Sequence, residues 1–132
     1  MVPGFWSNGG MEERSPEEAV GLGRAAVLAD LAAESKAGPE EVSVLEDAVA
    51  HRRWWSGQWP QGAAFVPGLI AQDVQDALLD RGVRWPGCEL CEDTEEHTLG
   101  VEPELGADPH WVCDVTGRTV APLGGLGGVR GA

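Results

Sequence analysis

The chain has 132 residues, with 22 acidic against 9 basic and a net charge of −13. This length suits one compact domain, or a helical part joined to a small metal-nucleated part, while a field of that sign repels a phosphate backbone and disfavours non-specific nucleic-acid binding. The hydrophobic share of 42% is not that of a disordered chain, and no run approaches the ~20 apolar residues that span a bilayer.

The first ten residues lack both the basic start and the apolar run of a signal peptide, and residues 1–14 read as a flexible or docking arm. A helical region is expected over 15–82. Its first helix opens at Ser15-Pro16-Glu17-Glu18, where Ser15 caps, Pro16 suits the first helical position and Glu18 closes a capping box. Val20, Val27 and Leu31 keep helical spacing to about Lys36, the only lysine. Gly21 and Gly23 each cost ~1 kcal/mol of helix propensity against Ala, a cost offset if they admit a close neighbour such as a Trp ring. Gly38-Pro39 breaks and restarts the chain. The second helix runs from about Pro39 to Trp55 and stops at Gly57, with Val42, Leu45 and Val49 on one stripe and Val44, Ala48 and Trp55 on the next. So short a link makes the two helices an antiparallel hairpin. A Trp- and Pro-rich connector, Gln58 to Pro67, leads to a third helix over Leu69–Arg81, with Ile70, Val74, Ala77 and Leu78 on its apolar face and Gly82 as a natural stop.

From Val83 the texture changes to short strands and turns. Residues 97–101 alternate as a strand, 102–109 form a loop, 110–113 make a second strand, and 118–121 a third after the turn at Thr116-Gly117. Residues 83–123 thus read as a separate module, and the Gly-rich stretch 124–132 as a mobile tail. The expected fold class is α+β: an N-terminal helical hairpin plus a third helix, then a three-stranded, zinc-stabilised β module.

The chemistry concentrates in that module. Cys88-Glu89-Leu90-Cys91 holds two of the three cysteines at knuckle spacing, which lets two thiolates face one tetrahedral ion. Alternation along a strand puts Trp111 and Cys113 on one face and His110 on the other, and puts His97 with the apolar Leu99 and Val101. The most economical shell is therefore Cys88, Cys91, His97 and Cys113 around one structural Zn2+ per chain, since a mixed three-cysteine, one-histidine set is a common zinc arrangement. The competing reading is three unrelated buried thiols and a surface histidine. Three cysteines make a poor disulfide framework, because one is left over.

With Cys88-Glu-Leu-Cys91 as a first knuckle and Trp-Val-Cys113-Asp-Val-Thr-Gly117 where a second would stand, the C-terminal third resembles the zinc-ribbon group of small zinc-binding domains. A complete second knuckle would have cysteine at 116; Thr116 stands there, and His97 would supply the fourth ligand. The resemblance implies an interaction or nucleic-acid-binding module more than a catalyst.

A second cluster, His51-Arg52-Arg53-Trp54-Trp55-Ser56-Gly57-Gln58-Trp59, offers Trp54, Trp55, Trp59, Arg52 and Arg53 as protein-interface candidates, with core packing as the plainer role for the rings. The expected function is a non-catalytic zinc-binding interaction protein, a small accessory factor or subunit of a larger bacterial or phage assembly. It would be cytoplasmic or assembly-associated, with no membrane contact and a protein partner of basic surface. Two alternatives stay open. A nucleic-acid-associated zinc-ribbon factor needs Arg52, Arg53, Arg81, Arg84 and Arg118 on one face. A zinc-dependent hydrolase or deaminase needs an open metal position and a glutamate two residues after a ligand histidine, which neither His51 nor His97 has.

Overall fold

The computed structural model describes residues 14–89, 91 and 97–129. Except for Arg14, the expected N-terminal arm lies outside them. Three helices pack on one another and on a three-stranded antiparallel sheet, so the molecule is α+β: α1 (Pro16–Ala33), α2 (Pro39–Gln58), a 3-10 segment (Pro60–Phe65), α3 (Val66–Asp80), β1 (Gly100–Glu102), β2 (His110–Val112), β3 (Thr119–Pro122) and α4 (Leu126–Val129).

Helix α1 starts as its sequence requires: the Glu18 N–H donates to the Ser15 hydroxyl at 3.1 Å and the Ser15 N–H to the Glu18 carboxylate at 3.0 Å. It ends at Ala33 rather than near Lys36, because Ser35 takes a left-handed φ of 58° and the Lys36 N–H returns to the Leu31 carbonyl at 2.8 Å. The same closure ends α3. Gly82 sits at φ 81°, its N–H donates to the Leu79 carbonyl, and the Val83 N–H reaches Leu78. Helix α2 runs past Gly57 to Gln58. Gly57 stops nothing because helical continuation there costs only backbone entropy, and the next bond, Trp59 N–H to the Trp55 carbonyl, is made at 3.1 Å. The 3-10 segment then feeds directly into α3, which begins three residues before Leu69.

The small residues of α1 do admit a neighbour, but not a Trp ring. A Cβ on Gly23 would meet Ile70 Cδ1 and Pro67 Cα at 2.9 Å, whereas one on Gly21 would meet nothing within 4 Å. The close approach of Trp rings is at Gly62, where a Cβ would stand 2.5 Å from Trp59 and 2.7 Å from Trp55. Gly23→Ala should therefore destabilise by about 1–3 kcal/mol, since α3 would have to shift, while Gly21→Ala should stabilise by up to about 1 kcal/mol. Urea unfolding of the two variants beside the wild type reads the opposite signs.

The sheet aligns Val101, Trp111 and Ala121 side by side across its three strands, all buried. This row faces the helices: Val101 lies against Gly68 of α3. Trp85, Leu99, Val101, Trp111, Cys113, Ala121 and Leu126 belong to the same buried cluster as Val20, Val27, Leu31, Leu45, Ile70 and Val74. The core does not divide at residues 82 and 83.

Of the tail expected over 124–132, residues 130–132 lie outside the described residues, and 124–129 are ordered against the helices. Residues 126–129 form α4 and Leu126 is fully buried. Its small residues serve close approach: Gly124, at φ 90°, lies against Ala26 of α1, where a Cβ would come within 3.1 Å of the alanine's own.

Candidate metal centre

The site is built where two strand ends meet. Residues 86–88 pair with 97–99 through the Leu99 N–H to the Pro86 carbonyl at 2.9 Å and the Cys88 N–H to the His97 carbonyl at 3.0 Å, with Gly87 opposite Thr98. That pairing brings Cys88 beside His97. Cys113 follows the last residue of β2, just after an irregularity in the β2–β3 register at Trp111 and Val112. There the chain turns through Gly117, at φ 77°, whose N–H returns to the Cys113 carbonyl at 2.7 Å.

These elements place the ligand atoms of Cys88, Cys91, His97 and Cys113 within 4.8 Å of one another. The Cys113 sulfur is 3.7 Å from that of Cys88, 3.5 Å from that of Cys91 and 3.7 Å from His97 Nε2. A tetrahedral shell with bonds of roughly 2.3 Å to sulfur and 2.0–2.1 Å to nitrogen has edges of about 3.8 Å between sulfurs and about 3.6 Å between sulfur and nitrogen. The observed edges match. They are far from the roughly 2.0 Å of a disulfide, and all three cysteines are free thiols. The four residues singled out from spacing and alternation are thus the ones brought together, as a group able to hold a metal ion. The acidic residues Glu95 and Glu96 beside His97 lie outside the described residues.

The surroundings already favour charge at one sulfur. The Cys113 thiol is drawn down to about 5, chiefly by the Thr116 hydroxyl, then by the His97 ring and the Thr116 backbone N–H. Cys91 is pushed up to about 11, because its proton is held in a hydrogen bond to Cys113 and burial disfavours a second negative charge. Thr116, three positions after Cys113, thus favours the Cys113 thiolate through its hydroxyl and backbone N–H. His110 stands apart, with its Nδ1 2.9 Å from the Asp108 carbonyl oxygen.

The Trp- and Arg-rich cluster is not one surface. Trp54 and Trp59 are exposed, at 63% and 44%, with Trp54 stacked on His51. Trp55 packs on the core and meets Trp59 edge to face at 5.3 Å. Arg52 grips Asp73 of α3 through two bonds of 2.6 and 3.0 Å while lying over the Trp55 ring, and Arg53 pairs with Glu17 at 3.1 Å. Two of the arginines that a nucleic-acid face would need are thus already neutralised. Arg81 lines a groove of about 220 Å³ between α2 and α3, whereas Arg84 lines a different cleft beside Trp85.

One buried residue was not singled out from the sequence. Asp30 of α1 is fully buried and collects the Trp111 indole N–H at 2.7 Å and the backbone N–H groups of Gly124 at 2.6 Å and Leu126 at 3.0 Å, while its carbonyl accepts from the Trp85 indole at 3.3 Å. Its signal was an acidic residue three positions after Val27, and so on the same apolar face of the helix.

Among the described residues no helix is long and apolar enough to cross a membrane. A family model described as Domain of unknown function (DUF8819) matches residues 16–123. No curated protein and no solved structure matches the chain.

Proposed function

The chain belongs to the DUF8819 family, and from the chemistry of its four-ligand cluster we propose that it is a non-catalytic zinc-binding interaction protein. The observation that carries this reading is the four-residue cluster itself. Three sulfurs and one imidazole nitrogen within 4.8 Å of one another would complete the tetrahedral coordination of one ion without a water, the arrangement of a structural rather than a catalytic zinc. Zinc is the ion of choice because the donor set is mixed sulfur and nitrogen, and tetrahedral. The Cys113 turn, with Thr116 bonded to the sulfur it follows, supports a ribbon-like module in which His97 replaces the fourth cysteine.

The ion would hold the paired segments 86–88 and 97–99 against the end of β2, and so keep Trp85 and Trp111 in the core. The protein would then act by binding another protein through the exposed Trp54 and Trp59, with Arg53 beside them. A net charge of −13 favours a basic partner surface. A small accessory factor or subunit of a larger bacterial or phage assembly, cytoplasmic or assembly-associated, fits these properties.

Elemental analysis of the purified protein tests the metal half of the proposal. One zinc per chain is expected, reduced at least about tenfold in affinity by His97→Ala and unchanged by His110→Ala, whose ring lies away from the cluster. Full zinc affinity in His97→Ala would reopen a three-cysteine site with a free fourth position. No zinc in the native protein would make the cysteines core residues only.

A further inference from the structure

Two of the segments that carry metal ligands also carry a tryptophan bonded to Asp30. Trp85 lies three residues before Cys88, and Trp111 two before Cys113, on the same buried face of its strand. The two rings meet edge to face at 5.3 Å, and their indole N–H groups both end on Asp30, one at its carbonyl and one at its carboxylate. The carboxylate oxygen that takes the Trp111 indole also takes the Gly124 N–H, while the other takes the Leu126 N–H. A second tie runs alongside: Glu34, just past the end of α1, accepts the Gly87 N–H at 3.1 Å, next to Cys88. No other carboxylate among the hydrogen bonds described joins a helix, the sheet and the C-terminal segment at once.

From this chain of contacts we infer that docking of residues 124–129 onto α1 is coupled to occupancy of the metal centre, with Asp30 as the joint and Trp111 as the link. The inference rests on the reading of the cluster as a metal site. Without an ion the three sulfurs share protons and hydrogen bonds, and beyond the Trp85–Trp111 contact the ends that carry Cys88 and Cys113 are joined by those weaker contacts. Trp85 and Trp111 then lose their fixed separation. Because packed cores switch between arrangements rather than deform smoothly, a displaced Trp111 leaves Asp30 with a different set of donors, and the segment that buries Leu126 is tied to α1 through that same carboxylate. The metal centre would thereby control whether the C-terminal segment is docked on α1 or released, with the α1 surface around Ala26 covered or open. Coupling of this kind is reciprocal, so weakening the latch must weaken metal binding by the same factor.

Amide hydrogen exchange on the full-length protein, zinc-loaded and then treated with excess chelator, tests the coupling. The Gly124 and Leu126 amides are expected to exchange at least about tenfold faster after chelation, the loss of a hydrogen bond to a charged acceptor, while amides in the middle of α2 stay protected. Equal protection of Leu126 with and without zinc would overturn the coupling and leave the metal site standing. Failure to bind zinc at all would overturn the proposed function itself, and the coupling with it. If chelation unfolds the whole chain, Asp30→Asn in the loaded protein decides. The amide side chain keeps one oxygen for Trp111 and Gly124 but sets an N–H against that of Leu126, so Leu126 should lose protection selectively, and zinc affinity measured by chelator competition should fall several-fold. A deprotected Leu126 with unaltered zinc affinity would show a latch that is independent of the metal.

Discussion

Cys88→Ser is expected to lose the bound metal and to lower the stability of the whole chain by at least about 3 kcal/mol, a modest share of the ~10–16 kcal/mol with which structural zinc can bind. The Cys88 sulfur is one vertex of the shell, 3.7 Å from Cys113, and its removal leaves three donors and an open face. The loss cannot stay local. The segment that carries Cys88 is paired with 97–99 through two backbone bonds, while Trp85 and Leu99, both at the same end of that pairing, are fully in the core shared with α1 and α3. Far-UV circular dichroism, reporting the helices, and tryptophan fluorescence, reporting Trp85 and Trp111, should therefore move together to a lower urea midpoint. Wild-type midpoint and wild-type zinc content in this variant would sink the ligand set. Two separated transitions, with the helices surviving the loss of the C-terminal part, would mean that the two parts fold independently despite their common core.

The second large effect is predicted at Asp30→Ala, which should cost about 3–6 kcal/mol. Truncation leaves the Trp111 indole and the N–H groups of Gly124 and Leu126 without their acceptor, and each buried donor left unsatisfied costs about 1–3 kcal/mol. Against a total stability of roughly 5–15 kcal/mol for a domain, this variant stands near the threshold of folding. Asp30→Asn, which keeps one oxygen and the side-chain volume, should cost clearly less. Guanidinium unfolding of both variants compares them directly; a cost below about 1 kcal/mol for Asp30→Ala would show that the three donors find other partners.

These two residues were unequally visible in the chain. Cys88 stands in a pattern whose chemistry is local: two thiols three positions apart can meet one ion whatever surrounds them, and strand alternation was enough to add Cys113 and His97 and to set His110 aside. Asp30 stands in an Ala- and Leu-rich helix among residues that give no hint of its partners, which lie 81, 94 and 96 positions away in sequence. Its spacing from Val27 places it on the apolar face, but nothing near it in the sequence names the indole and the two amides that meet it there. The same is true of Gly23, whose neighbour was expected to be a Trp ring and is Ile70 with Pro67, and of Arg52, which reads as an exposed cation beside tryptophans and is spent on Asp73.

What the sequence determined by itself is what depends on neighbours a few residues apart. The capping box of Ser15 and Glu18, the apolar stripes of the three helices, the closure at Gly82, the alternation of the short strands and the four candidate ligands all follow from periodicity, caps and spacing, because the forces involved act within a turn or a strand pair. Tertiary structure alone decided the rest. It joined the helical and β parts into one core through Trp85 and Trp111, it docked a Gly-rich end that composition marks as free, and it made Asp30 the acceptor that holds both. A buried polar group is stable only when all its donors are in place, and which donors those are is settled only when segments far apart in the chain come together.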